Sequence, residues 1–201
     1  MKAYNILISS VGGQGGITLA RVLSTAAMGM GLNVRVGESL GMAQRGGSVR
    51  SHVRLGEAVQ GALIPEGKAD VVISLEPAEA LRVVKYLSGD TTVIVNSSPV
   101  LPISVLLNET SYPEIGDIED LLRKVAGSVY TIGALDLAVK AGTSRSLNVV
   151  MLGAYMALGG SVLSMEAVKA ALNETLPPRY LEMNVRAFEM GMEEMRKTLS
   201  P

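Results

Sequence analysis

The feature that most constrains the fold is a short apolar run that leads directly into a cluster of glycines and then into a helical pattern. Residues 4–9 form the apolar run, and residues 11–16, Val-Gly-Gly-Gln-Gly-Gly, follow it at once. Apolar side chains then recur every three or four positions from Ile17 to Met30, which is the period of a helix with one buried face. A second strand is predicted at residues 33–37. This order of strand, loop, helix and strand favours a parallel sheet with a right-handed crossover.

Short apolar runs and helical periods alternate along the rest of the chain. Further strands are predicted at residues 48–55, 71–75, 91–95 and 128–132. Helices are predicted at about 77–87, 117–126, 134–141, 147–158, 165–175 and 179–197, with an irregular connection over 100–116. We therefore predict a three-layer α/β fold, with a mostly parallel, Rossmann-like sheet, helices on both faces and a helical C-terminal part. The chain is expected to be a single domain over residues 1–201, of which about 133–201 is the helical portion.

The composition argues against several classes of site. The chain has no Cys, so it lacks both a disulfide framework and the thiolates that an iron–sulfur cluster needs. Its one His, His52, argues against a zinc site and against a Ser–His–Asp triad. Lys and Arg number 18 against 19 Asp and Glu, so the basic excess of a nucleic-acid binder is missing. The apolar share of 48% fits either a well-filled α/β core or an apolar surface reserved for a partner.

One uncharged segment, residues 147–165, is nearly long enough to span a bilayer. Asn148, Ser161 and the Gly159-Gly160 pair interrupt it, which favours a buried helix that ends in a turn. The N-terminal residues do not have the pattern of a signal peptide. We therefore expect a cytoplasmic protein that does not bind membranes.

The glycine-rich loop at residues 12–16 has the character of an anion site. Backbone N–H groups and the positive end of a helix dipole face the space beyond such a loop, and glycines allow a ligand to approach closely. Residues 10–15 also match two of the three glycines in the dinucleotide fingerprint, with Ser10 in place of the first. In that alternative, Glu38 would bind the ribose of NAD(P). A third possibility is that the glycines serve only a tight turn and close packing.

A second glycine segment follows the second predicted strand. It reads Gly-Met-Ala-Gln-Arg-Gly-Gly-Ser over residues 41–48, and the guanidinium of Arg45 could donate twice to a phosphate or carboxylate. Because both glycine segments follow strands, they are expected to meet in the crevice beyond the carboxyl ends of the sheet. A solvated turn, with Arg45 paired to a nearby acid, remains the alternative.

Two further sets of polar residues have structural explanations that we favour. Arg50, His52 and Arg54 alternate along the strand at 48–55 and could cradle an anionic ligand. The row is more typical of the solvated face of an edge strand. Asn148 could contact a ligand, but its place at the head of a helix favours a cap.

These segments resemble the gamma-type domain of the 2-oxoacid:ferredoxin oxidoreductase family. The resemblance runs from residue 5 to about residue 196, and its most specific part is Met-Ala-Gln-Arg-Gly-Gly-Ser at 42–48. The family usually has Gly where this chain has Ser10. A free-standing domain of this length is most similar to the small subunits of the indolepyruvate branch. The matching segments are residues 11–15, 41–49, 51–54, 63–65, 76–82 and 148–154.

The resemblance implies a division of labour between two polypeptides. A large alpha subunit would carry thiamine diphosphate, Mg²⁺ and the iron–sulfur clusters, and this chain alone would bind no cofactor. The complex would decarboxylate indolepyruvate and other arylpyruvates to aryl-acetyl-CoA, with coenzyme A as co-substrate and ferredoxin as electron acceptor. A gamma subunit for pyruvate, ketoisovalerate or 2-oxoglutarate is an alternative, as is a stand-alone NAD(P)-binding Rossmann protein.

The chain is thus expected to be inactive alone and to supply no catalytic residue and no metal ligand. Its contribution would be a contact with the cofactors at the interface with the large subunit. By their chemistry as anion binders, the candidate cofactor-binding residues are Gly12, Gly13, Gln14, Gly15, Gln44, Arg45, Gly46, Gly47 and Asn148.

Overall fold

The computed structural model describes residues 3–41 and 46–200, which form a six-stranded sheet and the helices packed on it. The strands are β1 (Tyr4–Val11), β2 (Val34–Leu40), β3 (Ser48–Leu55), β4 (Val71–Ser74), β5 (Thr92–Asn96) and β6 (Ser128–Ile132). The α-helices are α1 (Gly16–Gly29), α2 (Pro77–Leu81), α3 (Ile103–Leu106), α4 (Ile115–Arg123), α5 (Ala134–Ala141), α6 (Leu147–Ala157), α7 (Met165–Thr175) and α8 (Leu181–Leu199). Every regular element described after β6 is helical.

The strand order is β2-β3-β1-β4-β5-β6. β1, β4, β5 and β6 pair in parallel, whereas β3 runs antiparallel to both β1 and β2. The predicted mostly parallel α/β sheet is therefore confirmed. The prediction that the strand at 48–55 exposes one face as an edge strand is wrong, because β2 forms the edge and β3 lies inside the sheet.

Alternate residues of the central strands face two separate hydrophobic cores. Ile6 and Ile8 of β1 point into the larger core, which α1 and α5–α8 cover. Leu7 points the other way, into a smaller core shared with α2 and α4. A parallel strand that is covered on both faces needs apolar side chains in both directions, which explains its continuous apolar run. The three predicted layers follow from this pattern.

The tightest helix contact lies between α6 and α8. A Cβ atom on Gly153 would stand 2.0 Å from the carbonyl oxygen of Phe188, and one on Gly191 would stand 1.9 Å from that of Val150. The two backbones can approach this closely only because both positions are glycine.

Several element boundaries differ from the predicted ones. β2 continues to Leu40, the helix predicted over 77–87 ends at Leu81, and the irregular connection contains the one-turn helix α3. α6 is buried in the larger core, as expected for the uncharged segment. Within the described residues, no helix is both long and apolar enough to cross a bilayer.

Candidate functional site

The carboxyl ends of the parallel strands form one rim of the sheet, and the described residues of both glycine segments lie there. Val11, the last residue of β1, pairs with Ser48, the first residue of β3. The backbone N–H of Gly12 donates a hydrogen bond to the carbonyl oxygen of Gly47 at 2.9 Å. The expected meeting of the two segments is thus observed for Gly12 and Gly47. The candidate residues Gln44 and Arg45 lie outside the described residues.

The first glycine segment has the backbone geometry of a loop that feeds a helix. Gly13 and Gly15 have φ angles of 100° and 85°, in the left-handed region that favours glycine. Gly15 is the N-cap of α1 and has no side chain to satisfy the first N–H groups of the helix. Such donors, together with the positive end of the helix dipole, are suited to binding an anion.

The side chain of Gln14 supports the glycine loop through two hydrogen bonds. Its Oε1 accepts a hydrogen bond from the backbone N–H of Val11 at 3.0 Å. Its Nε2 donates to the carbonyl oxygen of Leu75, just after β4, at 2.9 Å. Gln14 therefore ties the loop to two neighbouring strands, and any ligand would be bound through the glycine backbone that it supports.

Asn148 connects the glycine loop to the C-terminal helices. Only 5% of the residue is exposed, and its Nδ2 donates to the carbonyl oxygen of Gly15 at 3.1 Å. The prediction that Asn148 caps its own helix is wrong, because Ser146 occupies the N-cap position of α6. The side chain contacts Gly15 instead. A Cβ atom added to Gly15 would stand 2.6 Å from Nδ2 of Asn148.

Ser10 lies beneath the loop rather than at its mouth. The residue is 1% exposed, and its Oγ has no hydrogen-bond partner among the described residues. A Cβ atom on Gly16 would stand 2.5 Å from this Oγ. Because Gly16 has no side chain, it leaves room for the Ser10 hydroxyl beneath the loop. The serine therefore does not narrow the outer surface of the turn.

A cavity of about 350 Å³ opens beside the glycine loop, where α1, α6 and α8 all begin. Gly13, Gly15 and Asn148 line it, together with residues that sequence reasoning missed: Thr18, Thr143, Arg145, Tyr180 and Asn184. Arg145 is exposed and lines the cavity together with residues near the N-terminal ends of three helices. This combination suits a phosphate-bearing ligand.

The Arg50, His52 and Arg54 row is a structural element of the sheet. His52 is 2% exposed, and its Nδ1 accepts a hydrogen bond from the backbone N–H of Ile64 at 3.2 Å. Burial, with smaller effects from Arg50, Arg54 and Lys85, lowers the pKa of His52 from 6.5 to about 4. At neutral pH the imidazole is therefore uncharged. His52 anchors the segment after β3 to the sheet and does not form an open anion cradle.

Arg54 has a similar structural task. Its Nε donates to Oδ1 of Asn5 at 2.9 Å, and its Nη1 donates to the carbonyl oxygens of Gly61 and Leu63. The guanidinium thus fastens the loop after β3 onto β1. With His52 and Arg54 both bonded inside the protein, the row is neither a solvated edge nor an anion cradle.

A buried carboxylate, Glu76, organises the middle of the rim. Its Oε2 accepts from the backbone N–H of Glu79 at 3.0 Å and so caps α2. Its Oε1 accepts from the Tyr112 hydroxyl at 2.5 Å and from the backbone N–H of Val100 at 3.3 Å. Burial and the neighbouring carboxylate raise the pKa of Tyr112 well above its usual value, so the phenol stays a donor. Glu76 thereby joins α2 to the chain that follows β5.

The second glycine segment is fastened to the same cluster. The Ser48 hydroxyl donates to Oε2 of Glu79 at 2.5 Å, and Oε1 of Glu79 pairs with Nε of Arg82 at 3.0 Å. Gly46, Ser48 and the glutamates line a shallow cavity of about 270 Å³. The rim is therefore one connected hydrogen-bonded surface.

The structure does not place Glu38 where the dinucleotide-binding alternative requires it. In the Rossmann order the second strand lies beside the first, which brings its terminal acid to the ribose. Here β3 separates β2 from β1. Glu38 consequently stands two strand spacings, about 10 Å, from β1, and it borders a groove with Arg21 on the outer side of α1.

The chain's residues do not suit an iron–sulfur cluster or a divalent metal. No Cys occurs in the sequence, and thiolates are the usual ligands of such clusters. Within residues 3–41 and 46–200, no three His, Asp or Glu side chains are placed to hold a metal ion together. The chemistry that this surface offers is binding of an anion by backbone donors and Arg145.

Comparison with known proteins identifies a consistent set of relatives. The model of the pyruvate ferredoxin/flavodoxin oxidoreductase family matches residues 5–194. Indolepyruvate oxidoreductase subunit IorB of Thermococcus kodakarensis is 42% identical over 200 residues, which cover 99% of each chain. The subunit of the same name from Archaeoglobus fulgidus is 44% identical over 190 residues and 94% of each chain.

A solved structure has the same fold. The gamma subunit of a keto/oxoacid ferredoxin oxidoreductase from Geobacter sulfurreducens superposes with a TM-score of 0.69 and 25% sequence identity. The match covers 96% of this chain and 99% of the gamma subunit. The likeness therefore includes the sheet, the rim and the C-terminal helices.

Proposed function

Because the chain belongs to the pyruvate ferredoxin/flavodoxin oxidoreductase family, we propose that it is the small subunit of an indolepyruvate:ferredoxin oxidoreductase. The complex would convert indolepyruvate, CoA and two oxidised ferredoxins into indoleacetyl-CoA, CO₂, two reduced ferredoxins and one proton. The two relatives described above, at 42% and 44% identity, are named as subunits of indolepyruvate oxidoreductase, which supports this substrate over pyruvate, ketoisovalerate or 2-oxoglutarate.

We assign the redox cofactors to a large partner subunit. This chain offers no thiolate for an iron–sulfur cluster. Among the residues that the structure describes, no three Asp, Glu or His side chains lie close enough together to hold Mg²⁺. Thiamine diphosphate, bound by the partner with Mg²⁺, supplies the carbanion chemistry of decarboxylation.

The contribution of this chain is a binding surface for CoA at the subunit interface. The observation that carries this proposal is the convergence of the glycine loop, the N-termini of α1, α6 and α8, and Arg145 on one cavity. CoA is the substrate with three phosphates, and backbone donors together with a guanidinium are the groups that recognise them. A site between subunits also allows CoA to enter and acyl-CoA to leave in each turnover.

The first experiment tests the activity and the substrate. The chain is co-expressed with a candidate large subunit, and dye reduction is followed with indolepyruvate, pyruvate, ketoisovalerate and 2-oxoglutarate. We expect CoA-dependent reduction with the highest kcat/KM for indolepyruvate. A higher kcat/KM for one of the other acids would contradict the substrate assignment.

A second experiment tests the CoA contact. Replacing the exposed Arg145 by Gln should raise the apparent KM for CoA by roughly fivefold, as expected for about 1 kcal/mol from a solvent-exposed charge pair. The kcat should stay near the wild-type value, because the contact is also present in the transition state. The matched control is Arg196→Gln, an exposed arginine near the far end of α8. Equal KM values in the two variants would contradict the assignment of this cavity to CoA.

A further inference from the structure

An apolar surface that the CoA contact does not explain lies after β5. Residues 100–107, here called the flap, include the one-turn helix α3. Ile103, Leu106 and Leu107 are 74%, 64% and 62% exposed, and Val100 and Leu101 are also exposed. A run of five large apolar side chains in water marks a surface that another molecule covers.

The flap has a defined shape despite its exposure. The backbone N–H of Val100 is bonded to Glu76, and the N–H groups of Leu106 and Leu107 donate to the carbonyl oxygens of Pro102 and Ile103. At its far end, the N–H of Glu109 donates to the carbonyl oxygen of Ser104 at 2.8 Å. A surface held in one conformation before binding loses less entropy when a partner covers it.

The position of the flap connects it to the glycine loop. Val100 lines a cavity of about 210 Å³ together with Gly13, Gln14 and Arg145. A partner that covers the mouth of the CoA cavity therefore also reaches the flap. The two surfaces form one continuous face of the rim.

Charge distinguishes the partner of the flap from a second copy of this chain. Residues 100–117 contain Glu109, Glu114 and Asp117 and no Lys or Arg, and all three acids are exposed. Arg82 and Arg145 border the flap on the side of the rim, but two copies that met through residues 100–117 would bring these acids together, which disfavours self-association. A groove that is apolar at its centre and basic at its margin is complementary to the flap.

We propose that the flap is a docking surface for the large partner subunit, which presents an apolar groove bordered by Lys or Arg. This inference rests on the proposed function, because the large subunit is the partner that the function requires. The apolar side chains supply the affinity, and the acidic residues orient the encounter.

The test measures the affinity of purified small-subunit variants for the large subunit by biolayer interferometry. Replacing Ile103 and Leu107 together by Ser should raise the Kd by roughly tenfold or more. The matched control replaces Met28 and Val139 by Ser, since these residues are 60% and 58% exposed at other surfaces. Because all four side chains are exposed, the thermal unfolding midpoints should stay close to the wild-type value.

A second variant tests the electrostatic part. Glu109→Lys with Glu114→Lys should raise the Kd and weaken its dependence on salt, because favourable ion pairs are lost. If the wild-type chain binds but the flap variant binds equally well, the flap inference is wrong and the proposed function stands. If the wild-type chain does not bind the large subunit at all, the proposed function itself fails. Self-association of the wild-type chain that the flap substitutions abolish, with binding to the large subunit intact, would assign the flap to a second copy and overturn the proposal.

Discussion

Gly191→Ala should destabilise the fold although alanine is the better helix former. The substitution lies inside α8, where the intrinsic preference for Ala over Gly is about 1 kcal/mol. Its new Cβ atom would stand 1.9 Å from the carbonyl oxygen of Val150, whereas real Cβ contacts essentially never fall below 3.0 Å. α6 and α8 must therefore separate by about 1 Å, and no side-chain rotation can relieve a contact with backbone atoms.

The size of the effect follows from these two opposing terms. Overpacking costs about 1–3 kcal/mol and sometimes more, and a clash between two backbones in the larger core belongs at the upper end of that range. After the gain in helix propensity is subtracted, we expect a net loss of about 2 kcal/mol in the free energy of unfolding. For a chain of this length the midpoint of thermal unfolding should fall by roughly 4–8 °C.

The assay is urea and thermal unfolding of the purified chain, followed by far-ultraviolet circular dichroism. The matched control is Gly116→Ala in α4, where an added Cβ atom would meet nothing within 4 Å. That variant should be as stable as wild type or up to about 1 kcal/mol more stable. A Gly191→Ala protein that unfolds at the wild-type midpoint would refute the close packing of α6 on α8.

Two further predictions concern the sheet and the rim. Because burial holds the folded pKa of His52 at about 4, below its usual 6.5, the neutral ring stabilises the fold above pH 6.5, and this contribution is lost as the pH falls towards 4. The loss is at most about 3 kcal/mol, and it should be smaller in His52→Gln when urea unfolding is compared at pH 7 and pH 4.5. Gly15→Ala and Gly13→Ala both place a side chain at positive φ, which costs about 1–2 kcal/mol. Only Gly15→Ala also meets Asn148 at 2.6 Å, so it should unfold more readily than Gly13→Ala; equal stability would contradict the contact between Asn148 and the loop.

The sequence predicted most of the fold because its signals are local. β6, α5 and α7 begin and end where the apolar period predicts, since each element buries one face along a continuous stretch of chain. The place of β3 between β1 and β2 was not predictable in this way. A period of two shows that residues 48–55 form a strand, but it does not show which strands lie beside it.

The site was only partly visible in the sequence for a similar reason. The glycines at 12–16 lie close together in the chain and predict a loop before a helix. Thr18, Arg145 and Tyr180 come together only when α1, α6 and α8 pack on the same face of the sheet. Glu76 had a weak signal, because an acid directly before Pro77 suits the N-cap of a helix.

The prolines between residues 99 and 113 predicted the irregular connection. Which of its apolar residues face water, however, depends on the Glu76 and Tyr112 contact that holds it. A local pattern cannot show that contact, because the two residues are 36 positions apart, with α2, β5 and α3 between them.

The measurement that tests the central claim most directly is a titration of this chain into separately purified large subunit. Indolepyruvate- and CoA-dependent reduction of ferredoxin is followed at each ratio. We expect no reduction by either polypeptide alone, and a rate that rises with added chain until the two are present at a fixed stoichiometry. Full activity of the large subunit without this chain, or turnover of indolepyruvate by this chain alone, would contradict the account.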